Sequence, residues 1–511
     1  MQTKTIAQSV AAVSLMLAVF SAHAEVKLAS PFADGMVLQR ERNVPVWGWA
    51  DAGEKITVEF AGRKLETTAG ADGRWRVDLA PMDASKEGRT LKVVSAGGAA
   101  EVKDVLVGEV WYCCGQSNME LPLVGNDPRF RDRQGAMVAQ MTYRPYVRFA
   151  HCPRKWAISA EPKRVANYPV KWKALTPDSL AEGSSFSALG IYYALELYAA
   201  LDIPVGVIGA YWSGTRVEPW TPREGFAATE GCKPEAAYKA VDRNFVPEMT
   251  ESLPCRVERS IDQPSVIWNE LVAPWTPFAF RGMIWYQGCS NIKQYSRYAT
   301  MMHALYKGWS LRFENSDMKL YFVQLAPWGN RNIPYIQEAQ AKFAAEEKNS
   351  AMAVINDLGN LRDIHPNEKE LVAKRLALHA LKRDYGFSGI EDESPKLKDW
   401  KVEGDRFVLT FDHAKELYVY NPDRSFSNGF EIAGEDGVFK PATIVNRYER
   451  PQPKNKKAPP RYDGQLIDAQ VVLSAEGVAE PKKLRYLYSS PWFGAIYNEV
   501  NLPLGAFHIG D

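Results

Sequence analysis

What the chain lacks narrows its function before any motif is read. Beyond the first 24 residues no apolar run reaches the 18 or more residues that a membrane helix needs. Basic and acidic side chains balance, 62 against 61, so no strong field gathers nucleic acid or an anionic membrane surface. No Cys or Cys/His cluster has zinc spacing and no His-Glu-x-x-His run occurs; no metal and no other cofactor is expected. Histidine is scarce, with seven in 511 residues, which makes each one worth placing. There is no internal repeat.

The first 24 residues read as an export signal. Lys4 gives a positive start, Val10 to Phe20 an apolar core, and Ala22-His23-Ala24 a small-residue cleavage site. The mature chain is expected to begin near Glu25 and to be exported, to the periplasm or the medium. Six cysteines remain, at 113, 114, 152, 232, 255 and 289, and an oxidising compartment permits disulfides. Six cysteines pair in 15 ways, and sequence alone does not choose.

The length, the 46% apolar share and the 24% charged share suit two or three globular domains. Residues 25–104 hold short alternating strands, Val44–Trp49, Lys55–Phe60, Gly73–Leu79 and Thr90–Val94, cut by Gly and Asp. This pattern predicts a small β-sandwich. Residues 105–394 alternate apolar runs with helical stretches. Strands are expected at Val105–Cys113, Val205–Tyr211, Gly282–Gln287, Leu320–Ala326 and Ala351–Ile355. Helices are expected at Phe186–Leu201, Glu338–Glu347 and Pro366–Asp384. Strand and helix in repetition mean an α/β unit with a parallel sheet covered on both faces. The connection from Met119 to Ser185 is expected to fold over the sheet edge as binding loops. Residues 395–511 are β-rich again, with a Pro- and Lys-rich loop from Arg450 to Arg461.

The chemistry gathers after the strands. Gly115-Gln116-Ser117-Asn118-Met119 follows the first parallel strand, where open α/β sheets collect ligands. Gly115 permits a sharp turn, and the amides after it can serve as oxyanion donors. The run is not the Gly-x-Ser-x-Gly elbow, because Met119 replaces the second glycine. Ser213-Gly214-Thr215-Arg216 follows the next strand and Gly288-Cys289-Ser290-Asn291 a third. Each alone reads as a routine turn. The loop Asn356 to Pro366 holds Asp363 and His365, the residue types that activate a serine hydroxyl. Four such loops at one sheet edge outweigh the bland reading of each.

Trp111 to Glu120, Tyr211 to Thr215, Trp285 to Asn291 and Asp363 to Pro366 resemble the blocks of sialate O-acetylesterases within the SGNH hydrolase superfamily. The resemblance covers nearly the whole chain after the signal. It implies a three-layer α/β/α core flanked by the two β-rich regions, and a serine esterase that removes O-acetyl groups from sialic acid or another sugar, with water as co-substrate. Ser117 would be the nucleophile, His365 the base and Asp363 the orienting acid. The oxyanion hole would use the Ser117 and Gly214 amides and Asn291. Gln116, Arg216, Trp285 and Gln287 would meet the sugar. The superfamily more often places the acid three residues before the histidine, where Arg362 stands, so Asp357 is the fallback acid. Cys289 occupies the usual place of a glutamate and Cys114 that of a serine. A Cys114–Cys289 disulfide is therefore expected, with Cys232–Cys255 as a second pair and Cys113–Cys152 as a third. Two rivals stand beside this reading: an esterase of acetylated xylan or another polysaccharide, and a non-catalytic glycan-binding protein on a decayed esterase core.

Overall fold

Alternation of apolar and polar residues along Arg74–Leu79 becomes alternating exposure in the structure, one face out and the next in. The computed structural model describes residues 25–124, 135, 138, 142–154, 162–166, 168–181, 186–232, 261–359, 362–419, 428–446, 464–489 and 496–510. The expected signal segment, the Cys232–Cys255 pair and the Arg450–Arg461 loop fall outside these residues in whole or in part.

Strands β1 (Lys27–Leu28), β3 (Val44–Trp49) and β6 (Arg74–Leu79) make a three-stranded antiparallel sheet in the order β1-β3-β6. Strands β2 (Val37–Gln39), β4 (Lys55–Phe60), β5 (Arg63–Thr68) and β7 (Ser85–Ser95) belong to a second, larger sheet. That sheet is built around β8, a strand of 18 residues from Gly98 to Gly115. The first part of β8 pairs antiparallel with β7. Its last part, from Glu109 onward, lies between β11 (Val205–Tyr211) and β12 (Gly282–Tyr286), parallel to both. With β9 (Arg144–His151), β10 (Trp172–Leu175), β13 (Lys319–Val323) and β14 (Ser350–Ala353), the order is β10-β9-β11-β8-β12-β13-β14.

Every residue of β11 and β12 is buried, so both faces of this sheet are covered, as a parallel sheet requires. Helix α2 (Ala188–Leu201) packs on α5 (Lys369–Arg383), and α3 (Tyr295–Arg312) packs on α4 (Ile333–Glu346). Ser187 caps α2 by accepting from the Gly190 N–H at 3.0 Å. The 119–185 connection differs from expectation. It supplies β9 and the antiparallel edge strand β10, which complete the sheet. After residue 395 the chain forms three small antiparallel sheets around a separate core that includes Phe407, Leu409, Phe430 and Tyr486.

At the start of the parallel region sits a buried ion cluster. Glu109, fully buried, accepts from Arg40 Nε at 2.6 Å, from Arg281 Nε at 3.0 Å and Nη2 at 2.9 Å, and from Gln39 at 3.1 Å. Burial opposes its charge, yet Arg281 and Arg40 outweigh burial and hold the carboxyl below its ordinary range. A lowered folded-state value means that the carboxylate's contribution is complete above about pH 4.5 and fades as the pH falls. Replacing Glu109 by Ala leaves both guanidinium groups to the exposed Glu41 carboxylate, and urea unfolding at neutral pH is expected to show a loss of about 3 kcal/mol.

Candidate active site

Three strand ends meet at one rim, and glycine makes the meeting possible. Gly115 closes β8 at φ +144°, and a Cβ there would stand 2.3 Å from the Tyr286 carbonyl oxygen at the end of β12. The Gln116 N–H donates to that same carbonyl at 3.0 Å, and the Trp212 N–H donates to the Gly115 carbonyl at 2.9 Å. The Gln116 side chain then accepts from the Gly288 N–H at 3.1 Å. Thus the loops after β8, β11 and β12 are stitched together before any catalytic atom is considered.

Ser117 opens the short helix α1 (Ser117–Glu120), where the first backbone N–H groups have no partner inside the helix. His365 reaches it from a loop 248 residues away: Nε2 lies 2.9 Å from Ser117 Oγ. On the other ring nitrogen, Nδ1 lies 2.9 Å from Asp363 Oδ1, which also accepts from the His365 backbone N–H at 3.0 Å. A carboxylate can only accept, so Nδ1 carries the proton and Nε2 faces the serine as acceptor. Burial lowers the His365 pKa below its ordinary value, and Lys369 adds to this, while Asp363 pulls the other way.

The loop bearing His365 is anchored to the serine turn by a buried lysine. Lys369 Nζ donates to Asn118 Oδ1 at 2.6 Å and to the Pro366 carbonyl at 2.7 Å. Asn118 Nδ2 in turn donates to the Ile364 carbonyl at 2.9 Å. Glu120 does the same for the second loop. It accepts from the Ser213 N–H at 2.7 Å and from the Ser213 hydroxyl, while Arg154 Nη2 holds its other oxygen at 2.6 Å. The next residue, Gly214, has φ +76°. An open cavity of about 610 Å³ exposes Gln116, Ser117, Glu120, Gly214, Trp328 and His365 among its lining residues.

The structure therefore brings together Ser117, His365, Asp363, Gly214 and Gln116. It puts the remaining candidates elsewhere. Trp285 is fully buried against Trp220, with ring centroids 5.9 Å apart. Gln287 is buried, donating to the Thr215 carbonyl at 3.1 Å and accepting from Tyr298 at 2.9 Å. Arg216 pairs with Asp262 at 3.7 Å and does not line the cavity. Asn291 also lies behind the cavity wall. Its amide donates to Glu218 at 2.9 Å, and its carbonyl accepts from the Val217 N–H and from Gln287 at 3.0 and 2.7 Å. Asp357 is held by both terminal nitrogens of Arg375 at 2.6 Å, which leaves Asp363 as the carboxylate at the imidazole. Asn118, Glu120, Arg154 and Lys369 were missed as positioning groups. For the first two, their place within the Ser117 block was the available signal.

The expected Cys114–Cys289 and Cys113–Cys152 disulfides are absent: these four cysteines are free. Strand alternation gives the reason for the first pair. Cys114 stands in register with Trp285, so the two side chains share one face of the sheet. Cys289 lies past the end of β12, where the neighbouring charge is Lys369, whose ammonium stands 5.5 Å over the Tyr286 ring, one position out of phase with Trp285. Cys113 makes its own contact with Met119 Sδ at 3.0 Å, away from Cys152.

Comparison with known proteins then places the chain. Curated sialate O-acetylesterases from Rattus norvegicus and Homo sapiens are each 27% identical to it, over 458 and 445 residues. Those alignments span 80% of this chain and 82% and 80% of the two relatives. The crystal structure of a carbohydrate acetylesterase from Xanthomonas citri is similar at a TM-score of 0.78 and 29% identity, covering 95% of this chain and 99% of that one. Residues 107–381, more than half of the chain, match the family described as carbohydrate esterase, sialic acid-specific acetylesterase; the chain belongs to that family and is a carboxylic ester hydrolase.

Proposed function

We propose that the protein is a serine esterase that removes O-acetyl groups from sugars through an acetyl-enzyme, with O-acetylated sialic acid as its first substrate. One observation carries this reading: His365 Nε2 within 2.9 Å of Ser117 Oγ, with Asp363 on the opposite ring nitrogen. Ser117 Oγ attacks the acetyl carbonyl carbon as its proton passes to His365 Nε2. The backbone N–H groups of Ser117 and Gly214 hold the oxyanion. His365 then protonates the departing sugar oxygen, and water repeats the sequence to release acetate. The preference for sialic acid rests on the names of the curated relatives. The broader name of the Xanthomonas citri structure keeps neutral acetylated polysaccharide as the second reading. The proposal includes export after removal of residues 1–24. It also includes an SGNH-type three-layer core over 105–394, with residues 25–104 forming a β-sandwich and 395–511 a closing β-rich region.

Acetate release from defined O-acetyl sialic acids and from acetylated xylan, measured side by side, tests the reading. The wild type should favour the sialic acids, and Ser117→Ala should lose roughly 10⁴-fold or more in turnover while unfolding normally. Release from neither substrate would sink it.

The histidine must be neutral to accept the proton, so kcat/KM should rise with pH through a midpoint below the ordinary histidine value of about 6.5. Asp363 raises the His365 pKa; Asp363→Asn should therefore move that midpoint further toward acid while cutting kcat roughly 10²- to 10⁴-fold. A midpoint moving toward alkaline pH would contradict the assignment.

Asn291→Ala separates an oxyanion donor from a support. Because the Asn291 side chain holds Glu218, Val217 and Gln287, the variant should lose about 1–3 kcal/mol of unfolding free energy along with its activity. Lost turnover at unchanged stability would instead mark a direct oxyanion donor.

A further inference from the structure

A second cleft lies away from the serine. A cleft of about 740 Å³ runs between the outer face of the β3–β6 pair and the segments carrying Lys163, Thr276 and Arg312. It shares no lining residue with the catalytic cavity. Arg312 ends α3, whereas Tyr295 begins it beside the Cys289–Gln294 turn that lines the catalytic cavity. A helix of 18 residues is about 27 Å long, so the two sites stand roughly one helix length apart.

The floor of the cleft is a pattern of paired indoles and guanidinium groups. In the β3–β6 register Trp47 faces Arg76 and Trp49 faces Arg74, with Cβ atoms about 4.5–5.5 Å apart in such pairs. Between them Gly48 faces Trp75, whose indole folds to the other side and is buried. Both Trp47 and Trp49 stay partly exposed. Lys163, Arg164 and Arg312 add three more cations. Lys163 lies 3.9 Å from Glu270, Arg312 3.3 Å from Glu224, Arg74 3.6 Å from Asp72 and Arg76 2.8 Å from Asp78, and Glu314 is the carboxylate among the lining residues. That carboxylate is already taken by Arg76, at 2.9 and 2.8 Å. The Arg312 Nε–H is buried without a partner.

Indole faces pack against the C–H faces of sugar rings, and guanidinium groups bind carboxylates through two parallel bonds. The volume is that of an ordinary ligand site. We infer that this cleft is a second, non-catalytic binding site for a carboxylated sugar, holding an acidic glycan at a distance from the serine. Two linked sites raise the local concentration of acetyl esters on one glycan without any new contact at the serine.

The test uses the full chain with Ser117→Ala, so that the catalytic site is silent and the cleft intact. Tryptophan fluorescence and saturation-transfer NMR follow the addition of 3′-sialyllactose, digalacturonic acid and lactose. Saturable binding of at least one acidic sugar is expected near the millimolar range, with lactose at least about tenfold weaker. Arg164→Glu on the cleft's exposed edge should weaken it about tenfold or more, and Trp49→Ala should remove the saturation transfer. In the Ser117 background both variants should hydrolyse 4-nitrophenyl acetate at the wild-type rate. Equal binding of lactose, no binding of either acid, or binding indifferent to Arg164→Glu would each overturn the inference. None of these outcomes bears on the esterase assay, so the two readings fail separately.

Discussion

The structure depends on the close approach of two strand ends at Gly115 and Tyr286. A side chain at Gly115 would meet a backbone carbonyl at 2.3 Å, a separation that heavy atoms do not tolerate without backbone movement. With glycine there, the Gln116 N–H satisfies that carbonyl and Ser117 is presented at the first turn of a helix. The neighbouring strand end is tied in by the Trp212 N–H. Ser117 is therefore positioned by main-chain hydrogen bonds among β8, β11 and β12, which do not depend on any rotamer. This rigidity matters because a misplacement of about 1 Å costs an enzyme roughly a hundredfold in rate.

Side chains then fix what the backbone cannot. Ser117 and His365 lie far apart in sequence, and Asn118 and Lys369 lock their loops to one another. Glu120 performs the matching task for the Ser213–Gly214 turn. Asn118 and Glu120 sit one and three residues from Ser117, and Lys369 sits four from His365. This is how a short sequence block carries both a reactive atom and its support. The strand that delivers Ser117 begins at Gly98, in the N-terminal sheets. One strand, kinked at Asp104 where φ is +54°, thus links the outer β region to Ser117.

Sequence pattern exposed the elements whose signal is local. The buried run Val205–Tyr211 is the strand of the same bounds, and Pro366 and Gly386 bracket α5 as helix punctuation should. It exposed the rim loops as well, because Gly, Ser, Asn and His after an apolar run are rare enough to notice. Helix α3 went unread although Tyr298, Met302, Leu305 and Trp309 recur at helical spacing and are buried; intervening Arg, Thr and Lys hid the stripe. Strands β9 and β10 were read as loops because Pro, Arg and aromatics dominate their stretch, and only pairing with β11 reveals the edge. The burial of Trp285, Gln287 and Asn291 was likewise out of reach. A residue just after a strand can face the cleft or the layer behind it, and one residue of phase decides.

The cysteines show the same phase argument acting on chemistry. Thiol oxidation proceeds through the thiolate, and burial pushes the Cys113, Cys152 and Cys289 thiols up to about 12 and raises Cys114 well above its ordinary value. At position 289 the neighbouring charge is Lys369, which also acts on the His365 imidazole. The resemblance leads one to expect a glutamate there, and a carboxylate beside Lys369 would offset its charge. Lys369 donates to Asn118 and the Pro366 carbonyl, and its field lowers the His365 pKa together with burial.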